Sequence, residues 1–106
     1  METPQFGHPS IQAAFEALQA GDKAAWFAQF SDDAELLDDG QPLAFRPFFE
    51  NAIGHERFVS IDAVSQDGHE LIGTIETEQW GSFKAYFRFG LNAEGKLNKL
   101  EIGRAD

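Results

Sequence analysis

The chain has 106 residues, the length of one domain, and its eight Lys and Arg against eighteen Asp and Glu give a net charge of −10. This acidic balance disfavours nucleic acid and anionic membrane surfaces as partners, because both require a basic face. The absence of cysteine excludes disulfides and Cys-based zinc sites. No apolar run approaches the roughly 20 residues of a membrane span, and the polar N-terminus lacks a signal-peptide pattern, so we expect a cytoplasmic protein.

The first part of the sequence predicts two consecutive helices. Residues 10–20 carry apolar side chains at helical spacing, and Gly21 suits the end of this helix. Asp22 can cap a second helix, over residues 22–30, that carries several aromatic side chains. The main apolar positions of the two helices are Ile11, Ala14, Phe15, Leu18, Trp26, Phe27 and Phe30.

A strand, a tight turn and a third helix follow in the middle of the chain. Residues 34–38 alternate between two faces and end in an acid. Asp39 and Gly40 form a tight-turn signal, and a short extended segment around Leu43 comes after it. Residues 46–53 predict a third helix, because their apolar side chains fall on one side.

The second half of the sequence predicts four strands in a meander, separated by turn signals. Helices followed by a run of strands are typical of an α+β fold, with the helices on one face of an antiparallel sheet. We therefore predict one α+β domain over residues 1–106, in which a curved antiparallel sheet of about six strands wraps around three helices. The four late strands are predicted at residues 57–64, 71–79, 83–91 and 96–102.

Three short motifs carry a resemblance to a known superfamily. They are Ala20-Gly21-Asp22 between the first two helices, Phe30-Ser31-Asp32-Asp33-Ala34 before the first strand, and Phe87-Arg88-Phe89 followed by Gly95-Lys96. With the order of elements, they make nearly the whole chain similar to the nuclear-transport-factor-2-like (NTF2-like, SnoaL-like) superfamily of the cystatin-like fold. The resemblance implies a cone-shaped sheet whose opening holds a ligand. It leaves the function open, because this fold hosts isomerases, cyclases, dehydratases and binding modules.

Asp38 is the candidate catalytic residue. Strand alternation places it on the same face as Leu36, which we expect to point inward. The sequence here is most similar to the ketosteroid-isomerase branch, and that resemblance implies a general-base Asp at this position, facing the pocket. A carboxylate beside aromatic rings is desolvated, which raises its pKa toward the range useful for proton transfer. The alternative is an ordinary acidic turn, in which Asp38 bonds to turn amides.

The donors that stabilise an oxyanion in that branch are missing from this sequence. By resemblance, the oxyanion-hole Tyr falls at Ala14 or at Phe15, and the protonated oxyanion-hole Asp falls at Ala85. A base without such donors lacks the electrostatic stabilisation that usually carries most of the rate. We therefore expect ligand binding rather than steroid isomerisation.

Four apolar residues are predicted to line a pocket beside Asp38: Phe30, Leu36, Phe49 and Phe87. The eleven Phe residues either line such a pocket or fill the interior, as aromatic side chains more often do. Three functions stay open. They are binding of a small hydrophobic molecule, an isomerase-, cyclase- or dehydratase-type enzyme with Asp38 as general acid or base, and a dimeric structural domain with a filled core.

Strand register decides where Glu76 and Glu78 point. A three-residue loop over residues 80–82 pairs Ile75 with Phe87 and keeps both acids outside the cone. A two-residue turn instead places them in the cavity with the candidate base, as a carboxylate cluster for acid–base chemistry or a hard metal. We favour the outside placement, because burying several unpaired acids is costly.

No cofactor and no metal are expected, because the three histidines lack metal-ligand spacing and there is no Gly-rich phosphate loop. Tyr86 is expected on the outer, convex face of the sheet, between Lys84 and Arg88. The resemblance implies that this face often forms a dimer, and an exposed Tyr between basic groups fits such an interface. We predict a homodimer with Tyr86 in or beside the contact.

Overall fold

The computed structural model describes residues 3–105, which form three helices and six strands. The predicted α+β class is confirmed, and each predicted element is present with its ends moved by a few residues. The helices are α1 (Pro9–Ala20), α2 (Lys23–Ala28) and α3 (Phe45–Ala52). The strands are β1 (Phe30–Asp38), β2 (Gln41–Leu43), β3 (Glu56–Val64), β4 (Glu70–Thr77), β5 (Gly81–Leu91) and β6 (Leu97–Arg104).

All six strands belong to one sheet, in the order β2-β1-β6-β5-β4-β3. Neighbouring strands are antiparallel except for β1 and β6, which are parallel. The sheet is therefore mixed, and the prediction of an entirely antiparallel sheet is wrong at this one pairing. The alternation of a strand predicts its two faces but not its neighbour, and β1 pairs with β6, the last strand in the sequence.

The first strand is longer and α2 is shorter than predicted. β1 begins at Phe30, whereas the alternation in the sequence begins only at Ala34. Phe30 pairs with Leu97, and the register then shifts before Glu35 pairs with Lys99. Such an irregularity interrupts the alternation of faces, so the sequence pattern shows only the regular part of the strand.

The junction between α1 and α2 follows the sequence signals. Gly21 ends α1 in the left-handed conformation, with φ of 70°. The Oδ1 atom of Asp22 accepts a hydrogen bond from the backbone N–H of Ala25 at 3.0 Å and so caps α2. A Cβ atom at Gly21 would lie 3.1 Å from the Cα atom of Gly54, just after α3. Glycine at this position therefore allows both the helix end and the close approach of the two segments.

Aromatic side chains fill most of the space between the helices and the sheet. Trp26 and Phe49 are wholly buried, with ring centroids 4.8 Å apart. Phe15 of α1 stacks on Phe58 of β3 at 6.1 Å. Replacing such a buried ring by Ala typically costs about 3–5 kcal/mol. Most of the phenylalanines therefore fill the interior and stabilise the fold, which was the second of the two roles considered for them.

The β4–β5 hairpin has a different register from the predicted one. Its loop spans residues 78–80, and Ile75 pairs with Phe83 rather than with Phe87. The observed partner Phe83 and the predicted partner Phe87 are an even number of residues apart on β5, so both lie on the same face. The two faces of β4 are therefore as predicted. Ile75 is buried, and the glutamates of this segment lie outside, as predicted.

Candidate functional site

A cavity of about 240 Å³ opens at the end of the sheet where β1, β4 and β6 finish and β3 and β5 begin. Its walls are mainly aliphatic and aromatic, and two strands each contribute a carboxylate, Asp38 and Glu56. An apolar cavity with a few converging polar groups is the usual form of a small-molecule site. The apolar lining residues are Phe48, Ile75, Trp80, Phe83, Ala85, Phe87 and Ile102.

Asp38 is the last residue of β1 and lines this cavity, where its side chain is partly buried. Burial raises the pKa of its carboxyl group, and the charge of the adjacent Asp39 raises it further. Asp38 thus lies in the kind of environment expected from the strand pattern. Its role in binding or in proton transfer stays a prediction.

Glu56, the first residue of β3, lines the same cavity and was not predicted from the sequence. Burial raises the pKa of its carboxyl group to about 7, and the charge of Asp38 contributes to this shift. Glu56 therefore keeps its proton to a higher pH than an ordinary glutamate does. Strand parity was the available signal, because Glu56 and the buried Phe58 lie on one face of β3. The predicted strand began one residue later, at Arg57.

The two carboxylates interact although their strands lie far apart in the sheet. β1 and β3 are separated by β6, β5 and β4, and four strand spacings amount to about 19 Å in a flat sheet. Charges at that separation are largely screened in water. Because Asp38 and Glu56 nevertheless line one cavity, the sheet must curve until its two sides approach each other there.

The turn after β1 is fixed against the end of β6. The backbone N–H of Asp39 donates to the carbonyl oxygen of Ile102 at 2.9 Å, and its Oδ1 atom accepts the N–H of Arg104 at 3.3 Å. The guanidinium carbon of Arg104 lies 4.4 Å from the ring centroid of Phe83. These contacts hold a basic group at the rim of the cavity, against an aromatic ring.

Trp80 forms the outer edge of the cavity, a position that was not predicted from the sequence. The Oγ1 atom of Thr77 donates to the carbonyl oxygen of Gly81 at 3.0 Å and accepts the N–H of Trp80 at 2.8 Å, which fixes the loop. The Trp80 side chain is 59% exposed. It lines both the cavity and an adjoining groove of about 500 Å³. An exposed ring at a cavity edge offers a stacking surface to a ligand.

Among the four predicted lining residues, Phe87 lies in the cavity wall, whereas Phe30, Leu36 and Phe49 do not. These three are buried in the core, with exposures of 6%, 1% and 0%. Phe30 lies at the opposite end of β1 from Asp38, and Phe49 packs on rings of α2 and α3. Periodicity predicts which face of an element points inward, but the helices decide how far along that face the interior is filled.

The remaining candidate acids and the histidines lie outside the cavity. Glu76 and Glu78 are exposed, and Oε1 of Glu78 is 3.1 Å from Nδ1 of His55. His8 and His69 contact each other edge to face, with centroids 4.6 Å apart.

Within residues 3–105, no group of three or more His, Cys, Asp or Glu is arranged to hold a metal ion. The same residues include no helix long and apolar enough to cross a membrane.

Comparison with known proteins identifies the fold through structure rather than sequence. No protein-family model matches the chain, and no curated protein matches it significantly. A candidate polyketide cyclase from Sinorhizobium meliloti aligns with a TM-score of 0.71 at 16% identity, over 89% of this chain and 93% of that one. An NTF2-like protein of unknown function from Cytophaga hutchinsonii aligns with a TM-score of 0.73 at 13% identity, over 96% and 92%. The chain has the NTF2-like fold.

A third structure that aligns with this chain is that of a much longer protein. The orange carotenoid protein of an Anabaena (Nostoc) strain, solved with canthaxanthin, aligns with a TM-score of 0.70 at 20% identity over 96% of this chain. This chain spans only 36% of the length of that protein. Identities in this range establish the shared NTF2-like fold and nothing about individual residues.

Proposed function

We propose that this NTF2-like domain binds a small, mainly apolar molecule in the cavity beside Asp38 and Glu56. The observation that carries the proposal is the cavity itself, in which apolar walls meet a few polar groups. Its volume of about 240 Å³ exceeds the roughly 150 Å³ that accommodates benzene. It is smaller than most pockets for drug-sized molecules, which begin at roughly 300 Å³. A ligand of one or two rings fits this size.

The structural relatives support the proposal at the level of the fold. One is a carotenoid protein solved with canthaxanthin, and another is a candidate polyketide cyclase. Both names refer to small organic molecules. The open cavity also disfavours the hypothesis of a structural domain with a completely filled core, although aromatic rings fill most of the interior.

General acid–base catalysis is a second candidate function, in a reaction of the isomerase, cyclase or dehydratase type. Asp38 and Glu56 face one cavity with raised pKa values, and perturbed acids in a cleft are typical of proton-transfer sites. Asp38 would take a proton from the ligand as general base and return it at another position. The methyl group of Ala85 in the cavity wall offers no hydrogen bond to an oxyanion. Binding without chemistry is therefore the first proposal.

We also infer a homodimer formed through the outer face of β4, β5 and β6, and a cytoplasmic location. Tyr86 lies on this face, partly buried, with the guanidinium carbon of Arg88 at 5.5 Å from its ring centroid. Tyr and Arg are enriched at protein interfaces, which supports the dimer. The acidic, cysteine-free composition supports the location.

Titration of ¹⁵N-labelled protein with benzyl alcohol and indole tests the binding proposal. We expect saturable backbone shift changes concentrated at the cavity, around Thr77 and Ala85. Ala85→Leu adds volume to the cavity wall and should abolish the changes, whereas Ala63→Leu, at an exposed position of β3, should retain them. Saturation that Ala85→Leu leaves unaffected would contradict the proposed site.

Asp38→Asn separates binding from catalysis. Retained ligand affinity with lost turnover would indicate an enzyme. Absence of turnover in both proteins, across a set of small carbonyl substrates, would favour the binding module.

A further inference from the structure

We propose that the ligand of this cavity is an organic cation, namely a protonated amine carried on a ring of one- or two-ring size. The proposal rests on the proposed binding function and adds the chemical class of the ligand. It combines the charge of the cavity lining, the polar groups that remain without partners, and the aromatic walls.

The charges of the lining favour a cation. Three carboxylates, those of Asp38, Asp39 and Glu56, line the cavity together with one basic side chain, Arg104. Arg104 lies over the ring of Phe83, and its backbone N–H is bonded to Asp39. Within residues 3–105, neither Asp38 nor Glu56 takes part in an ion pair. A cationic ligand would supply the missing charge, whereas an anionic ligand would add to the repulsion.

The hydrogen-bonding capacity that remains consists mainly of acceptors. Thr77 both donates to Gly81 and accepts from Trp80, so its hydroxyl group is already used. In their ionised forms, the carboxyl groups of Asp38 and Glu56 offer only acceptors to a ligand. An ammonium group carries only donors and therefore matches them, while a carbonyl or carboxylate ligand does not.

The aromatic walls suit the same ligand. Phe83, Phe87 and Trp80 all line the cavity, and ring faces attract a nearby cation as well as an apolar ring. An amine on a ring can thus place its charge beside the carboxylates and its ring against the aromatic wall. A hard metal ion would gain nothing from these rings, and the described residues offer it no cluster of ligands.

The affinity of the cavity for an amine should depend on pH, because Glu56 exchanges a proton near neutral pH. The Glu56 carboxyl group has a pKa of about 7, through burial and then the charge of Asp38. A bound cation stabilises the ionised form of Glu56, so the affinity for the amine should rise as pH passes through 7. The affinity should then stay constant while the amine remains protonated, that is, below the pKa of the amine at roughly 10. Other charged groups line the cavity and the adjoining grooves with Glu56. They are Asp38 on β1, Asp39 and Arg104 at the rim, His55 and Arg57 beside it in the chain, and Glu76 and Glu78 on and just after β4.

Calorimetric titration with benzylamine, benzyl alcohol and benzoate compares three probes of nearly equal shape and different charge. At pH 7.5 and low salt, we expect benzylamine to bind about 10-fold more tightly than benzyl alcohol, and benzoate to bind most weakly. Glu56→Gln should lower benzylamine affinity by roughly 5–10-fold and leave benzyl alcohol unchanged. Glu35→Gln, exposed on β1, removes one negative charge elsewhere and should have no effect. It controls for general attraction of cations to an acidic protein.

The pH series separates Glu56 from its neighbour His55. Between pH 5.5 and 8.5 the rise in benzylamine affinity should persist in His55→Gln and disappear in Glu56→Gln. Asp38→Asn provides a second test and should lower benzylamine affinity even if Glu56→Gln proves poorly folded.

The outcomes distinguish the amine proposal from the binding function on which it rests. If benzyl alcohol binds as tightly as benzylamine, the amine proposal is overturned while the binding function stands. If benzylamine binds but neither Glu56→Gln nor Asp38→Asn weakens it, the amine proposal is also overturned. If none of the three probes binds at millimolar concentration, both proposals fail together.

Discussion

Glu56 and Asp38 interact across the open end of the cone: burial raises the pKa of the Glu56 carboxyl group to about 7, and the charge of Asp38 contributes. The two residues belong to strands that three other strands separate. Curvature of the sheet therefore creates both the cavity and the perturbed acid within it. The stability of the fold and the proposed ligand binding are therefore both expected to depend on pH at this place.

The stability of the protein should depend on pH through Glu56. The folded-state pKa of about 7 lies above the ordinary 4.5, so between these values the folded protein keeps a proton that the unfolded chain has lost. The free energy of unfolding should fall as pH rises through this window. Glu56→Gln removes the cost of the charge and should stabilise the protein by roughly 1–2 kcal/mol at pH 8, after allowance for partial solvent screening.

Thermal unfolding at two pH values measures this effect. At pH 8 the melting temperature of Glu56→Gln should exceed that of the wild type by roughly 4–8 °C, and below pH 4.5 the two proteins should melt together. Glu35→Gln serves as the control at both pH values. Equal melting temperatures at pH 8 would show that Glu56 has an ordinary pKa.

Trp80 should contribute to ligand affinity but hardly to stability. Its side chain is 59% exposed, so Trp80→Ala should change the free energy of unfolding by less than about 1 kcal/mol. Loss of a ring contact should weaken binding of an aromatic ligand by roughly 5–10-fold, and Trp80→Phe should retain most of the affinity. Calorimetry on both variants measures this. Val59→Ala, at another exposed apolar position, is the control, and full affinity in Trp80→Ala would remove this residue from the site.

Gly73 is expected to be essential for the close packing of β3 on β4. It pairs with Ile61, where the register of the two strands shifts on both sides. A Cβ atom at Gly73 would overlap the backbone carbonyl oxygen of Ser60 and lie 3.1 Å from the Cα atom of Ile61. Backbone atoms cannot move aside as a flexible side chain can, so Gly73→Ala should cost about 2–3 kcal/mol.

Urea denaturation tests this cost against a matched glycine. A Cβ atom at Gly90 of β5 would meet chiefly the Cβ atom of Lys99, at 3.1 Å. Gly90→Ala should therefore cost less than Gly73→Ala. Equal costs would mean that the backbone contact at Ser60 relaxes easily.

The predicted homodimer places Tyr86 in or beside the contact. A biological interface should bury at least roughly 1,000 Å² in total. Light scattering at micromolar concentration should give twice the mass of the chain for the wild type, and Tyr86→Glu should be monomeric because it places a charge in the contact. Ala24→Glu adds the same charge at an exposed position of α2 and should stay dimeric. A monomeric wild-type protein would refute the dimer.

Local patterns in the sequence were enough to predict the order of the elements and most of their faces. Apolar spacing, the Gly21 helix end and the Asp22 cap all act within a few residues, so they can be read without knowledge of the fold. The same local logic predicted that Asp38 shares the inward face of β1, and Asp38 does line the cavity. Even the mistaken hairpin register left the faces correct, because the shift was an even number of residues.

Which strands are neighbours, and which inward residues reach a cavity, depend on contacts between distant parts of the chain. The parallel pairing of β1 with β6 joins two segments that lie far apart in the sequence, and no local pattern encodes it. Phe49 and Phe87 both point inward, yet only Phe87 reaches the cavity, because packed rings of α2 and α3 enclose Phe49. Glu56 becomes a perturbed acid only when the curved sheet buries it near Asp38, since both burial and charge proximity are properties of the folded chain.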